Sequence, residues 1–452
     1  MIEALSLQQL QQRFGGELHN GDACFTGVGT DSRNVAEGDL FVALSGENFD
    51  AHDFVASVAD KVCGVIVSRH LPDVNVPQWQ VDDTVIALGQ VAMLCREKFS
   101  GKVIGITGSC GKTTVKEMLA AVLQQKHNVC VTRGNLNNHI GVPLTLFGLG
   151  HEHEVAIIEM GASGPSEIGY LCSLARPQVT GITNVQPAHV EGFGSIQGIA
   201  NAKGQIYSGL EQNGVAVVNV DDDFAPQWLN AMRSDIATTR VSVEQAADIF
   251  ATDASVNDAG FASFTLHIGD KALPVNLKVL GGHNVANAVM VAGLARGVGL
   301  EAEEIVAGIE QFTGVAGRMA ESEGHGASRV IDDSYNANPG SVTAAIKMLA
   351  TRAGKRVLVL GDMKELGEDA LEQHRNMGRL ARQSGIDALY TIGELASAAS
   401  ESFGADGRHY PDRQALVREL SAQLDEHTTV LVKGSRSARM ELIVQALTQE
   451  EG

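Results

Sequence analysis

The sequence predicts an α/β fold built on parallel sheets, and three observations lead to this prediction. An apolar, β-branched run over residues 103–106 is followed by a glycine-rich turn and then by apolar residues at helical spacing. Strand-like and helix-like segments alternate from about residue 100 to 316, which is typical of a parallel sheet. The same alternation starts again at about residue 317. We therefore predict three domains, 1–99, 100–316 and 317–452.

The first predicted domain combines short elements with polar loops. A helix is predicted from Leu5 to Phe14, and a second helix over residues 84–99 leads into the glycine-rich turn. Residues 30–33, with the sequence TDSR, and the loop 46–53 gather hydrogen-bond donors and acceptors in short stretches. Taken alone, each of these loops favours a surface turn over a binding site, and the binding site is the alternative.

The glycine-rich turn has the arrangement that cradles phosphates: a strand, a glycine loop, Lys-Thr and a helix. Glycines let backbone N–H groups approach an anion, and the helix N-terminus adds its dipole. Lys112 would reach the β- and γ-phosphates, and the Thr113 hydroxyl would bind Mg²⁺. The loop is a shortened variant, because the usual pattern has glycine where this chain has Ile106. A turn that binds nothing is the alternative, but the strand–helix context favours a nucleoside triphosphate site.

Candidate metal-binding residues follow later strands of the middle domain. Glu159 comes directly after the apolar strand 155–158, where α/β NTPases hold a second Mg²⁺ ligand, although a charged residue also simply ends many strands. His189 lies in a loop with proline and glycine. Lys203 falls near the inward face of a predicted helix, where a lysine usually extends its charge to solvent. Because Glu159 and His189 are candidate metal ligands nearby, a role for Lys203 at the metal site is the competing interpretation.

Amide side chains form two further groups. Asn135, Asn137 and Asn138 cluster before a Gly-Val-Pro sequence. His283, Asn284 and Asn287 begin a helix and either face a nucleotide base or cap that helix. The strand-rich stretch 235–280 has no assigned position in the predicted sheet.

The third domain contains four predicted strand–turn–helix units, which indicate a second doubly wound sheet with its own crevice. Polar loops over 333–338, 362–365 and 433–436 should line one edge of it. Arg318 lies at the start of this domain, placed to reach back across an interdomain cleft.

Composition argues against several classes of protein. The net charge of −20 disfavours binding to nucleic acid or to an anionic membrane surface. No apolar run reaches the length of a membrane span. The six cysteines show no CxxC pair or metal spacing, which favours reduced thiols. We expect a cytoplasmic monomer that binds no nucleic acid and inserts into no membrane.

Together these features indicate an ATP-using enzyme in which ATP activates one substrate for attack by another. One phosphate site lies between two modules that could each carry a substrate. A motor or transport ATPase fits less well, because no oligomeric-motor or sensor motif is found. A nucleotide-binding regulator or scaffold without catalysis is the alternative from another class.

The motifs TGSCGKTT, EMGA and HNVAN, the pair His189 and Lys203, and the C-terminal alternation together resemble the Mur ligase family over essentially the whole chain. TDSR and the loop ending in DAHDF resemble the N-terminal UDP-binding domain of the last two ligases of its series. GNLNNHIGVP, DDSYNANP, GDMKELG and VKGSR resemble the ligase that acts last, and the DNPR motif of the preceding ligase is absent. A sister ligase or a folylpolyglutamate-type synthetase is the near alternative, and TDSR argues against the latter.

The resemblance implies a P-loop-type central ATPase domain and a Rossmann-like C-terminal domain. It implies that ATP and Mg²⁺ are used to join D-alanyl-D-alanine to UDP-N-acetylmuramoyl-tripeptide through an acyl phosphate, in peptidoglycan precursor synthesis. The implied catalytic residues are Lys112, Glu159, His189 and Lys203. Thr113 and Glu159 would hold one Mg²⁺ and His189 would help to hold a second, beside a carbamylated Lys203.

The resemblance also assigns binding residues. For ATP they are Gly108, Ser109, Gly111, Lys112, Thr113, Thr114, His283, Asn284, Asn287, Arg318 and Asp333. For the UDP-sugar peptide they are Ser32, Arg33, Asn135, Asn137 and Asn138. For the carboxylate of D-alanyl-D-alanine they are Lys433, Ser435 and Arg436. Whether the third peptide residue is diaminopimelate or lysine is left open.

Overall fold

The computed structural model describes residues 1–46, 49–187 and 190–449. The N-terminal part forms a small mixed sheet with strand order β2-β9-β8-β5-β4, flanked by short helices. In chain order its elements are β1 (Leu5–Ser6), α1 (Leu7–Phe14), β2 (Glu17–His19), β3 (Cys24–Phe25), β4 (Val28–Gly29), β5 (Leu40–Val42), β6 (Ser45–Gly46), β7 (Phe49–Asp50), α2 (Val55–Val58), β8 (Gly64–Val67), β9 (Gln78–Gln80) and α3 (Thr84–Glu97).

Helix α1 begins two residues later than predicted. Leu5 and Ser6 pair with Phe25 and Cys24 as a short antiparallel ladder, so the apolar spacing of Leu5 belongs to a strand. Ser6 then caps the helix, because its hydroxyl accepts the backbone N–H of Gln9 while the Gln9 side chain accepts that of Ser6.

Helix α3 packs against the next part of the chain as well as against α1. The buried Arg96 donates to the carbonyl oxygens of Ala175 at 2.6 Å and Arg176 at 2.9 Å. Because α3 contacts both the N-terminal and the middle part of the chain, the domain boundary predicted between residues 99 and 100 stays a prediction.

The middle part forms a long sheet with the order β11-β12-β10-β13-β14-β15-β16-β17-β18. Its strands are parallel up to β16, and β17 and β18 return as antiparallel strands. Its elements are β10 (Lys102–Thr107), α4 (Lys112–Leu123), β11 (Val129–Val131), α5 (Gly141–Phe147), β12 (Val155–Glu159), α6 (Glu167–Ala175), β13 (Val179–Ile182), α7 (Val190–Phe193), α8 (Ile196–Ser208), β14 (Val215–Asn219), α9 (Ala225–Asn230), β15 (Ala237–Ser242), β16 (Ile249–Val256), β17 (Phe261–Ile268), β18 (Lys271–Leu280), α10 (Asn284–Gly297) and α11 (Ala302–Gln311).

The stretch that the sequence left without a position, 235–280, extends this sheet. β15 pairs in parallel with β14, and the strands after it cover α10 and α11. Burial alternates strictly along β17, so only one of its faces is apolar and packed. That half-exposed pattern differs from the continuous apolar runs of the earlier strands.

The C-terminal part forms a third sheet, with the order β19-β20-β24-β21-β22-β23. Its strands are parallel except β19. Its elements are β19 (Ala320–Glu323), β20 (Arg329–Asp333), α12 (Pro339–Ala350), β21 (Lys355–Gly361), α13 (Ala370–Gln383), β22 (Ala388–Ile392), α14 (Ser397–Phe403), β23 (Gly407–Tyr410), α15 (Arg413–Ser421), β24 (Thr428–Lys433) and α16 (Glu441–Thr448).

The predicted α/β class is confirmed. The four predicted C-terminal strands correspond to β20, β21, β22 and β24, and the sequence prediction missed the edge strands β19 and β23. Leu280, at the end of the middle sheet, belongs to the same apolar core as Ile331 and Leu360 of the C-terminal sheet. Within the described residues, no helix is long and apolar enough to span a membrane.

Candidate functional site

The phosphate loop lies between β10 and α4, and backbone contacts from the neighbouring strand hold it in shape. Ser109 donates its N–H to the Asn184 carbonyl at 2.9 Å, and the N–H of Cys110 reaches the Asn184 side-chain oxygen at 3.0 Å. Lys112 Nζ donates to the carbonyl of Gly108 at 2.6 Å. Desolvation in the cleft lowers the pKa of Lys112, an effect that the charge of Glu159 opposes. These hydrogen bonds fix the shape of the loop, occupy the N–H groups of Ser109 and Cys110, and leave the Lys112 side chain folded back over it.

Gly111 is one of two positions in this loop, with Gly108, where glycine is required. Its φ is +83°, and a Cβ there would lie 2.5 Å from Asn287 Oδ1. We expect Gly111→Ala to lower nucleotide affinity by about tenfold or more, because the free loop would relax away from the clash with Asn287 and from the left-handed conformation, and nucleotide binding would have to restore that conformation at a cost of about 1–2 kcal/mol. Calorimetric titration with ADP measures this. Gly269→Ala is the matched control, because Gly269 has φ +62° with nothing within 4 Å; an equal loss there would contradict the prediction.

Glu159 is the last residue of β12, and its side chain is 2% exposed. Asn137 donates its side-chain N–H to Oε1 at 2.8 Å. Oε2 is buried and has no hydrogen-bond partner in the described chain, with Lys116 Nζ 3.6 Å away. A buried carboxylate oxygen without a hydrogen bond, one strand from a phosphate loop, has the chemistry of a Mg²⁺ ligand. Together with the Thr113 hydroxyl, it fits the predicted metal.

Lys203 lies on α8 and is 3% exposed. Burial, together with the charge of Lys112, lowers its pKa to about 7. No hydrogen bond of its Nζ is present within the described ranges. The alternative that Lys203 extends its charge to solvent is therefore wrong, because its ammonium end is enclosed in the cleft.

His189 lies outside the described residues, so its predicted metal role stays a prediction. Among the residues that the structure does describe, no group of three or more His, Cys, Asp or Glu side chains could hold a metal ion. Of the predicted metal ligands, Glu159 is the only His, Cys, Asp or Glu residue that the structure describes. The other described ligands are the Thr113 hydroxyl and Lys203.

A cavity of about 600 Å³ joins these groups to the C-terminal sheet. Most of the predicted site residues line it. They are Ser109, Gly111, Lys112, Thr113, Thr114, Asn135, Asn137, Asn138, Glu159, Lys203, His283, Asn284, Asn287, Arg318, Asp333, Lys433 and Arg436. Gly108, at the start of the loop, is not among the cavity-lining residues; its φ is +149°, and a Cβ there would collide with Thr183 Oγ1.

Several of the predicted binding amides have protein partners of their own. Asn138 caps α5 by accepting the backbone N–H groups of Ile140 and Gly141. Asn287 donates to Asn284 Oδ1 at 2.7 Å, and Asn284 donates to the Leu280 carbonyl at 2.8 Å. These bonds fix the cavity wall, and binding roles for these side chains stay predictions.

The C-terminal side of the cavity is held by a buried ion pair. Lys433 Nζ lies 2.6 Å from Asp333 Oδ2, and it also donates to the Asn336 carbonyl at 2.9 Å. Arg318 reaches across to Thr113 Oγ1 at 3.4 Å, with its guanidinium 4.2 Å from the centre of the Tyr335 ring. The ammonium of Lys433 is thus engaged within the protein, whereas the guanidinium of Arg318 reaches the Thr113 hydroxyl, and its predicted role in ATP binding stays a prediction.

A second cavity, also about 600 Å³, adjoins the first on the C-terminal sheet. Ser435 lines it, together with three basic side chains, Lys364, Arg436 and Arg439. The sequence predicts no role for Arg439 and places Lys364 only within a polar loop. The sequence KGSRSAR, which follows the apolar strand 429–432, could have indicated this cluster of basic side chains.

Ser32 and Arg33 are apart from both cavities. Arg33 is exposed and forms an ion pair with Asp31 at 2.7 Å. Their predicted contact with the UDP-sugar stays a prediction, because neither residue is among the described cavity-lining residues.

His374 holds the loop that carries Lys364. Its Nε2 accepts the N–H of Met363 at 2.9 Å and its Nδ1 donates to the Ala370 carbonyl at 2.7 Å, so the ring is neutral. Burial lowers the pKa of His374. Because the unfolded chain then binds more protons, stability is highest above pH 6.5 and falls as the pH drops through the folded-state pKa. We expect His374→Gln to flatten this dependence in urea unfolding at pH 5 and pH 7.5; an unchanged slope would contradict the assignment.

Comparison with known proteins agrees with this geometry. Residues 106–295 match the Mur ligase middle domain, and residues 317–436 match the Mur ligase, glutamate ligase domain. The UDP-N-acetylmuramoyl-tripeptide–D-alanyl-D-alanine ligase of Escherichia coli (strain K12) is 43% identical, over 99% of each chain. A crystal structure of MurF from Acinetobacter baumannii superposes with a TM-score of 0.91 at 37% identity, over 98% of each chain. The MurF ligase of Thermotoga maritima in complex with ADP superposes with a TM-score of 0.83 at 29% identity, over 93% of this chain and 96% of that one. The chain belongs to the Mur ligase family.

Proposed function

We propose that this chain uses ATP to join D-alanyl-D-alanine to UDP-N-acetylmuramoyl-tripeptide, forming an amide bond. The proposal rests mainly on one observation. The phosphate loop lines the first cavity, and this cavity adjoins a second one that is lined by basic side chains of the C-terminal part. The full-length similarity to a ligase of this name supports the choice of substrates.

In the first step, the terminal carboxylate of the tripeptide attacks the γ-phosphorus of ATP. The bond from that phosphorus to the β,γ-bridging oxygen breaks, which releases ADP and leaves an acyl phosphate. Lys112 stabilises the negative charge that develops on the phosphoryl oxygens, and Arg318 adds a second cation from the C-terminal side.

In the second step, the amine of D-alanyl-D-alanine attacks the acyl carbon and inorganic phosphate leaves. Water would hydrolyse the acyl phosphate, so the site has to be enclosed while it exists. The contacts from Arg318 to Thr113 and from Cys110 to Asn338 support such a closed arrangement of the middle and C-terminal parts.

Mg²⁺ would be held by Glu159 and the Thr113 hydroxyl, with His189 and Lys203 near a second ion, and when bound it would neutralise phosphate charge. Lys203 is suited to carbamylation, because reaction with CO₂ requires the neutral amine and its pKa of about 7 makes that form abundant. Carbamylation would turn this buried amine, which has no hydrogen-bond partner among the described residues, into an anion suited to bind a metal ion.

The second cavity would receive the dipeptide. Lys364, Arg436 and Arg439 line it together with one acidic residue, Glu365, so that its lining has a net positive charge that matches the carboxylate of D-alanyl-D-alanine. Lys433 is better suited to hold Asp333, since its ammonium is buried against that carboxylate. The monomeric state and the cytoplasmic location stay predictions.

The test is an ATP-consumption screen. The protein is incubated with ATP, Mg²⁺ and UDP-N-acetylmuramoyl-tripeptide, and D-alanyl-D-alanine, single amino acids or glutamate is added in separate reactions. We expect phosphate release and amide product only with D-alanyl-D-alanine. Preferential use of a single amino acid would indicate a sister ligase, and phosphate release without either substrate would contradict the proposal.

A further inference from the structure

Lys116 is a buried cation that the proposed reaction does not use directly. It lies one helical turn beyond Lys112 on α4, its side chain has 0% exposure, and it does not line the described cavities. Burying an ammonium costs several kcal/mol unless it is well paired. Methionine would fill the same space without that cost, so the partners of Lys116 should explain the charge.

The Glu117 carboxylate, on the same helix, lies 3.0 Å from Nζ, and the remaining partners come from two other elements of the site. Nζ donates to the Thr132 carbonyl at 2.8 Å and to the Gly134 carbonyl at 3.3 Å, at the base of the loop that carries the asparagine cluster. It also lies 3.6 Å from Glu159 Oε2. Lys116 therefore links the phosphate-loop helix to this loop and to the predicted Mg²⁺ ligand.

Glu159 is held from both sides by this arrangement. Asn137 donates to Oε1, and Lys116 provides the nearest positive charge to Oε2. The backbone N–H of Glu159 donates to Thr132 Oγ1 at 3.0 Å, on the residue whose carbonyl Lys116 binds. Groups that orient a metal ligand in this way typically change metal affinity or activity 10–100-fold when they are removed.

We propose that Lys116 is a positioning residue, which fixes the Glu159 carboxylate and the base of the loop 132–138 in their binding arrangement. The inference rests on the proposed function, in which Glu159 binds Mg²⁺. It predicts that removal of the Lys116 charge affects Mg²⁺ and the UDP-sugar peptide, and spares the dipeptide pocket on the far side of the cavity.

The test uses Lys116→Met in the full chain. ADP binding is measured by calorimetry at increasing Mg²⁺ concentration, and KM is measured for each substrate. We expect the Mg²⁺ concentration for half-maximal ADP binding to rise about 10–100-fold. KM for UDP-N-acetylmuramoyl-tripeptide should rise while KM for D-alanyl-D-alanine stays unchanged. A general structural defect would raise both constants.

Glu117→Gln is the matched control. Glu117 is the outer partner of Lys116, at 3.0 Å and with a side chain 36% exposed, so its removal leaves the contacts to Glu159 and Thr132 in place. We expect wild-type Mg²⁺ dependence from this variant. In a Glu159→Gln background, Lys116→Met should add no further shift, because the residue through which it acts has been changed.

Circular dichroism and thermal melting establish that each variant is folded, and Lys116→Gln replaces Lys116→Met if the latter does not fold. A wild-type Mg²⁺ midpoint in the Lys116 variant, or an equal shift in Glu117→Gln, would overturn the positioning role. Absence of Mg²⁺-dependent ADP binding in the wild-type chain would instead overturn the proposed function.

Discussion

Lys112→Ala should lower kcat/KM for amide formation by about 10³-fold, the scale at which charge stabilisation of a phosphoryl transition state acts. The Lys112 side chain folds over the phosphate loop and donates to the Gly108 and Ser109 carbonyls at 2.6 and 3.3 Å. ATP would replace those contacts with phosphate oxygens, whose negative charge grows during transfer. The loss should therefore fall on the chemical step as well as on nucleotide binding.

Steady-state kinetics, with the dipeptide saturating and ATP varied, measures this loss of kcat/KM. Lys126→Ala is the matched control, because Lys126 follows the same helix but its side chain is 53% exposed and forms an ion pair with Glu304. Exposed pairs contribute little, so the control should retain wild-type activity. Near-normal amide formation by Lys112→Ala would contradict the assignment of this loop.

Lys203→Met should abolish measurable amide formation and at the same time stabilise the nucleotide-free protein. Both effects follow from one feature, a buried amine without a hydrogen-bond partner in the described chain. Activity should fall because methionine cannot be carbamylated and supplies no metal ligand. Stability should rise because an unpaired buried charge is removed.

The stability effect depends on pH. The folded-state pKa of Lys203 is about 7, against 10.5 for an ordinary lysine, so the unfolded chain binds more protons between these values. Wild-type stability should rise with pH across that window by up to the order of 4 kcal/mol, and this slope should be absent in Lys203→Met. Urea unfolding in carbonate-free buffer at pH 7 and pH 9 measures the difference. Equal slopes in the two proteins would contradict the account.

The sequence could predict features that depend on local order along the chain. The phosphate loop needs only adjacent residues, and Glu159 needs only the rule that parallel strands end at one edge of a sheet. Lys203 was left with two interpretations, because spacing places a lysine on a helix face without showing how deeply its end is buried. The enclosed ammonium distinguishes them.

Features that depend on contacts between distant segments could not be predicted. Lys433 and Asp333 end neighbouring strands that are 100 residues apart in the chain, so their ion pair follows from the sheet order β20-β24. Lys116 resembled any other polar residue of a helix, and only the position of Thr132 and Glu159 shows what it binds. The strand-rich stretch 235–280 was left without a position, because an alternating pattern of burial does not identify a strand's neighbours in the sheet.

The proposed reaction depends above all on activation of the tripeptide carboxylate as an acyl phosphate. The direct test uses UDP-N-acetylmuramoyl-tripeptide whose reacting carboxylate carries ¹⁸O at both oxygens, with mass analysis of the phosphate released after one turnover. Because the bridging oxygen leaves with phosphorus when the amine attacks, each phosphate should contain one ¹⁸O and the amide should keep the other. Unlabelled phosphate, released together with normal amide product, would contradict the account.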